Sequence, residues 1–314
     1  MLGIAPSVLD PAGPQAAHIS SLWWLMFWVA TAVFVLVLGF LLAAFLRRPR
    51  ARVPITADRT LTRAVAASAV VTALILFGLL VASMWTSRAI ASLGAASAVT
   101  VNVTGHQFWW EIEYEDAVPS RRVTTANEIH IPVGRPVVLK VTSRDVIHSF
   151  WAPNLHGKRD LVPGITSAIW LQADQPAVYR GQCAEFCGRQ HAHMAFEVVA
   201  EPQAQFDAWL DAQRQPSIAP AGDAAIRGRD AFMRAQCILC HTIRGTGAGA
   251  LVGPDLTHVG SRGKIASGTL PTTAAGLAQW LRDPQHIKPG NLMPPSPLAD
   301  GDVQAMAVYL ESLK

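Results

Sequence analysis

The sequence predicts three architectures in series: a two-helix transmembrane hairpin, an all-β domain and a small all-α domain. Three observations carry this. Two long apolar runs near the N-terminus contain no charged residue. The middle of the chain is a succession of short β-branched and aromatic runs broken by Gly, Pro, Asn and Asp. Past a connector rich in Pro and Ala the pattern turns helical. The composition agrees, with 15% charged and 51% hydrophobic residues and ten Trp in 314 residues, a length that admits two or three domains.

The first run, Leu22 to Leu46, and the second, Ala64 to Trp85, are each long enough as a helix to cross a hydrocarbon core of about 30 Å. The first lacks a basic start and is too long for the core of a secretory signal, so it reads as an anchor. Arg47, Arg48, Arg50, Arg52, Arg59 and Arg63 lie between the runs against a single acid, Asp58. Positive charge stays on the cytoplasmic side, which leaves residues 1–21 and everything after the hairpin (22–95, helices about 22–46 and 64–86) extracytoplasmic. The expected location is the inner (plasma) membrane, crossed twice. The net charge of +4 comes largely from that loop and so says little about nucleic acid; membrane lipid is an expected partner and nucleic acid is not.

Residues 96–213 read as the β domain, from runs such as AVTVNVTG, QFWWEIEY, RPVVLKVTS, DVIHSFWA, TSAIWL and AFEVVA, whose spacing suggests an antiparallel sandwich or barrel. A short helix closes it near Pro202 to Gln213. Residues 214–222 (RQPSIAPAG) form a linker. From Asp223 to Lys314 helical segments surround a Gly- and Pro-rich middle.

The four cysteines fall in two pairs, each followed closely by histidine, a pattern that favours metal or cofactor binding over a structural disulfide. Cys237-Ile-Leu-Cys240-His241 is CxxCH: two thiols to form thioethers with haem vinyl groups, and an imidazole for the iron. Met293, between Asn-Leu and two prolines, is the candidate sixth ligand. His258 is the runner-up, and Met306, in an amphipathic helix, reads as core. The segment 223–314 resembles the class I cytochromes c. That resemblance implies that the first and last helices cross, with Gly228, Phe232 and Tyr309 at the contact.

GQCAEFCGRQHAHM, residues 181–194, gathers two thiols, imidazoles and a thioether on one loop, ligands that suit copper. A mononuclear blue site needs one cysteine; two thiolates four residues apart can bridge two copper ions. A further imidazole must come from elsewhere in the β domain. His148, in DVIHSFW, is the first candidate, with His106, His156 and His193 as competitors; His156 reads as exposed, and His193 points away if the loop is extended. A CxxxC disulfide and a copper chaperone or assembly factor remain alternatives at this point.

GHQFWWEIEY (105–114), VIHSFWAPNLHGKRDLVPG (146–164) and the copper loop resemble subunit II of the haem–copper cytochrome c oxidases, and the C-terminal segment makes the whole similar to the caa3-type form. The resemblance implies a cupredoxin-like Greek-key barrel with a dinuclear CuA centre. Its ligands would be His148, Cys183, the carbonyl of Glu185, Cys187, His191 and Met194, and the Glu185 carboxylate would help hold magnesium at the boundary with subunit I. It also implies haem c on Cys237, Cys240, His241 and Met293, and partners in oxidase subunits I and III and in a cytochrome or other electron donor. Oxygen would be reduced in subunit I, with proton translocation. This chain has no histidine in its apolar runs to bind a haem there. A CuA-containing nitrogen-oxide reductase component and a quinol oxidase subunit are rivals of related fold. Two departures stand out. Phe108 follows GHQ where relatives that use a soluble donor carry Trp, and no carboxylate lies between Asp58 and Glu111 where many relatives place one in the second helix.

Overall fold

The computed structural model describes residues 3–47, 59–92 and 99–314. Two long helices, α1 (Pro14–Leu46) and α2 (Arg59–Ser92), hold the apolar runs. With 33 and 34 residues at about 1.5 Å per residue, each exceeds a hydrocarbon core of about 30 Å. Both run beyond the apolar runs, because a helix already paired along its backbone continues into its polar flanks at little cost. Arg59 and Arg63 therefore sit in the first turns of α2. Arg48, Arg50, Arg52 and Asp58 lie outside the described residues.

The β domain is built from two sheets. Its strands are β1 (Gly3–Ile4), β2 (Thr100–His106), β3 (Trp109–Tyr114), β4 (Val123–Ala126), β5 (Glu128–Pro132), β6 (Val137–Ser143), β7 (His148–Trp151), β8 (Arg159–Leu161), β9 (Ser167–Leu171), β10 (Ala177–Cys183) and β11 (Ala195–Glu201). One sheet runs β4-β3-β2-β6-β9; the other runs β5-β11-β10-β7-β8, with β1 beside β10. In β2, β3 and β6 burial alternates residue by residue, as a strand with one wet face requires. Val101, Val103, Trp110, Ile112, Leu139 and Val141 from one sheet share a core with Ile129, Phe150, Tyr179, Phe196 and Val198 from the other.

The sequence reading expects antiparallel pairing. The structure is mixed: β2 pairs β6 in parallel and β5 pairs β11 in parallel. Both arise where the chain crosses between sheets and returns beside an earlier strand. The result is the cupredoxin-like arrangement. Strands β1, β4 and β8 are too short to stand out as runs. β1 precedes the first long apolar helix yet pairs Gly3 with Val178, a partner no local pattern announces.

Helix α3 (Gln203–Arg214) packs Phe206 into the barrel core. The C-terminal part contains α4 (Asp223–Arg234), α5 (Ala274–Arg282), α6 (Pro284–Ile287) and α7 (Asp300–Ser312). Helices α4 and α7 cross at Gly228, where a Cβ would collide with the Ala305 carbonyl and the Tyr309 Cβ. Phe232 meets Tyr309 edge-on at 6.3 Å, and Met306 is fully buried, as the residues predict. The segment expected to be a linker is pinned at both ends of its first half. Arg214 pairs with Asp116 at 3.1 Å, and Ser217 N donates to the Arg244 carbonyl at 2.9 Å.

Candidate metal centre

Strand β7 opens at His148, β10 ends at Cys183, and the loop into β11 supplies Cys187, His191 and Met194. Pairing of β10 with β7, Cys183 opposite Phe150, brings the loop against His148. One nitrogen of His148 and the two sulfurs lie within 4.8 Å of one another, all buried. Cys183 Sγ is 3.7 Å from Cys187 Sγ, 3.9 Å from His148 Nδ1 and 3.2 Å from the Glu185 carbonyl oxygen. Cys187 Sγ is 3.7 Å from His191 Nδ1 and 3.8 Å from Met194 Sδ. The sulfurs are far beyond the disulfide length of about 2.05 Å, and all four cysteines are free.

Each donor is braced from behind. His148 Nε2 donates to Asp145 Oδ1 at 2.8 Å, which aims Nδ1 at the sulfurs, the usual arrangement behind a ligating imidazole. Gly105 makes room for this ring: a Cβ there would sit 2.8 Å from His148 Cδ2. Trp110 Nε1 donates to the Met194 carbonyl at 3.3 Å, and Gln107 Nε2 to the Cys187 carbonyl at 2.6 Å. The hydrogen bond between the thiols, helped by His148 and opposed by burial, pushes Cys183 down to about 3. The same bond, with burial, pushes Cys187 up. The pair therefore gives up its first proton readily, as a metal site of sulfur ligands requires. Burial works against protonating His148, but its bonds to Cys183 and Asp145 outweigh that and raise its pKa. Asp145 is held below the usual carboxylate range: its bonds to His148 and to the amides of Gln107 and Val146 outweigh burial.

The other histidines have different employment. His106 stacks on Trp109 with centroids 4.4 Å apart and pairs with Glu111. His193 is exposed and bonded to Gln190. His156, expected to be exposed, is half-buried and bonded to the Gly157 carbonyl, because the turn that holds it folds under the barrel at the buried Asn154 and Leu155. The Glu185 side chain points to solvent, 3.6 Å from Lys158. Sequence reasoning missed Asp145 and Gln107. Asp145, three residues before His148, carried a signal; Gln107 carried none.

In the C-terminal domain, Cys237 and Cys240 lie around a short 3₁₀ turn (Gln236–Leu239), with His241 directly after. His241 Nδ1 donates to the Pro254 carbonyl at 2.8 Å, which leaves Nε2 as the ring's free acceptor. Gly253 abuts this imidazole, so that a Cβ would lie 2.7 Å from Cε1. Burial lowers the His241 pKa against the Pro254 bond, keeping the ring neutral and its lone pair available. Met293 is fixed by its backbone: its N–H donates to Asn291 Oδ1 at 2.8 Å and its carbonyl accepts from Gln285 Nε2 at 2.9 Å. His258 instead donates to the Gln215 carbonyl at 2.9 Å, toward the pinned connector. Arg262 is buried with an unpartnered Nε, close enough to His241 to lower its pKa; an anionic prosthetic group such as haem would meet that need.

Comparison with known proteins agrees with both halves. Residues 99–201 match the family described as "Cytochrome C oxidase subunit II, periplasmic domain", and residues 225–314 match "Cytochrome c". The chain is 42% identical to the cytochrome c oxidase subunit 2 of Alkalihalophilus pseudofirmus over 219 residues, 69% of this chain and 62% of the relative. It is 35% identical to that of Bacillus sp. strain PS3 over 229 residues, 69% and 63%, and 31% identical to that of Bacillus subtilis over 231 residues, 70% and 64%. The matched region thus spans less than two thirds of each relative's length. The cytochrome c match implies haem c, and the His/Cys/Cys/Met group fits a copper site of the CuA type. Barrel, ligand cluster and C-terminal match together give this chain a domain similar to the periplasmic domain of cytochrome c oxidase subunit II, followed by a cytochrome c domain.

Proposed function

We propose that this chain is the electron-accepting subunit of a caa3-type terminal oxidase in the plasma membrane, anchored by α1 and α2 with both redox domains on the periplasmic side. It takes electrons from a cytochrome or another donor and delivers them to the haem and haem–copper centres of a partner subunit I, accompanied by subunit III. Oxygen is reduced to water there, with proton pumping. When bound, haem c and dinuclear CuA supply the redox chemistry: a thioether-ligated iron of suitable potential, and a copper pair that shares one electron. His148, Cys183, Cys187, His191, Met194 and the Glu185 carbonyl would hold the copper. Cys237, Cys240, His241 and Met293 would hold the haem. The Glu185 carboxylate, exposed beside Lys158, is the group assigned to magnesium at the subunit I boundary.

The chain's own work is to fix donors so that little moves when charge arrives. The barrel core, Trp110 and Asp145 lock the copper loop and His148; Pro254 and Gly253 lock His241. Burial excludes water from both cysteine sulfurs of the copper loop. The observation that carries the reading is the convergence of three side chains and a carbonyl on two cysteine sulfurs 3.7 Å apart. The test is metal counting and low-temperature EPR on the purified oxidase complex. Two coppers per haem c, with one unpaired electron shared by both coppers, is the expected result. A single-copper signal, or copper lost during turnover, would make this a copper-delivery protein instead.

A further inference from the structure

The C-terminal domain rests on the barrel beside the copper loop, and one barrel carbonyl accepts two of the bonds that cross the contact. Phe108 O accepts from Ser267 Oγ at 2.8 Å and from Lys288 Nζ at 3.0 Å. Both donors come from the C-terminal domain. Phe108 is itself 6% exposed. Lys288 is 2% exposed, gives its other bond to the Ala266 carbonyl at 3.2 Å, and enters no ion pair among the described residues. A lysine buried against two backbone carbonyls is an unusual choice for a contact made only for packing.

The turn that presents Ser267 is conformationally unusual. Ala266, Ser267 and Gly268 all have positive φ, at 52°, 56° and 81°, and the first two are residues that avoid this region. Such a turn persists where its surroundings impose it. Here they do: Ala195 N donates to the Ser267 carbonyl at 3.2 Å, and Gly263 N to Glu128 Oε2 at 3.1 Å. On the other side, Gln190 Nε2 donates to the Pro289 carbonyl at 2.8 Å. Both partners of that bond lie on loops already described: Gln190 beside His191, and Pro289 on the loop that leads to Met293. Phe108 in turn adjoins Gln107, which holds the Cys187 carbonyl.

We propose that Lys288 and Ser267 are positioning residues that clamp the Phe108 carbonyl, seat the Met293 loop on the copper loop, and close this face of the copper site to any separate donor. The second half rests on the electron-transfer reading above; the clamp itself does not. Electrons then reach the copper loop on this side only by way of the C-terminal domain, and an external donor has to meet that domain first. The arrangement also assigns a use to Phe108: its backbone, more than its ring, is the contact.

Two amides report the clamp directly, because Ala195 N and Gly263 N donate across the interface and exchange with solvent only when it opens. In the full-length chain in detergent, both should be protected and exchange together. The double variant Lys288→Met, Ser267→Ala should raise both rates about tenfold or more. Unchanged rates in the double variant, or unprotected amides in the wild type, would overturn the clamp; the wild-type measurement stands even if the variant folds poorly. In the holo-complex, flash photoreduction should show haem-to-copper transfer slowed about tenfold while the copper EPR spectrum and the haem potential stay put. An unchanged internal rate alongside loosened amides would overturn the positioning role. If copper counting instead refutes the dinuclear site, the amide measurements still decide the clamp on their own.

Discussion

The copper loop and the CxxCH segment solve the same problem in opposite ways. The proposed copper ligands already touch one another: Cys183, Cys187, His148, His191 and Met194 form a chain of contacts between 3.7 and 3.9 Å. The proposed haem ligands do not. His241 is held by Pro254, and Met293 by Asn291 and Gln285, each steadied from its own side. A pair of small ions can be gripped by side chains that pack on each other above a sheet, so the β framework builds that site before metal arrives. A macrocycle must be surrounded, so its ligands stand apart and are braced individually. The shared device is a glycine against each imidazole, Gly105 for His148 and Gly253 for His241.

The largest expected effect breaks the copper side alone. Cys187→Ser removes a buried sulfur that contacts three other donors, while the strands that carry the loop keep their ladders. Oxidase turnover of the assembled complex should fall by roughly 100-fold or more, with the shared-electron EPR signal gone and the haem c absorbance unchanged. A haem spectrum that changes as well would mean that the two regions are not built independently.

Next comes the brace behind the ligand. Asp145→Asn keeps the size of the side chain but removes the charge that orients His148 Nε2. Copper affinity, measured by competition with a chelator, should drop between about 10- and 100-fold. Asparagine keeps one oxygen to accept from the Val146 amide and His148 Nε2 but loses the one that Gln107 N uses, so the change should stay local to this turn, and near-ultraviolet circular dichroism should be little altered. On the other side of the comparison, Gly228→Ala forces a methyl into the Ala305 carbonyl at the α4–α7 crossing. We expect about 1–3 kcal/mol of destabilisation confined to the C-terminal domain, read as a lowered thermal midpoint of the haem band with the copper band unmoved.

The two regions also differ in how much of them the sequence discloses. CxxCH is contiguous, and so is the loop from Cys183 to Met194, so both were legible as written. The imidazole from β7 was legible only as a shortlist, since choosing His148 over His106 requires the pairing of β7 with β10. The strands with clean alternation were visible; β1, at two residues, was not. Nothing local marks Lys288 or Ser267 as partners of Phe108, because that contact spans 180 and 159 positions and depends on how two domains meet. A connector of Pro and Ala reads as slack chain, yet Arg214, Ser217 and His258 fasten it. Short-range chemistry is written in the residues that perform it, whereas docking is written in residues whose partners are elsewhere.

The smallest effect concerns where the regions join. Burial pushes Lys288 down to about 7 from an ordinary value of 10.5, against a smaller opposing pull from Cys187. In the undocked chain the amine keeps its ordinary value, so between about pH 7 and about pH 10 the undocked state binds more protons than the docked one, and docking strengthens as pH rises through that window. The contribution is complete above the undocked value and is lost as pH falls toward 7. Protection of the Ala195 amide, corrected for the intrinsic pH dependence of exchange, should therefore rise between about pH 7 and about pH 9. Other groups titrate nearby, among them His130, whose bonds to Glu128 and Glu201 outweigh burial and raise its pKa. Subtracting the same profile for Lys288→Met isolates the lysine: the rise should vanish in the variant. A rise that survives the substitution would assign the pH response to the Glu128–His130–Glu201 cluster, where one carboxylate accepts from Gly263 across the same interface.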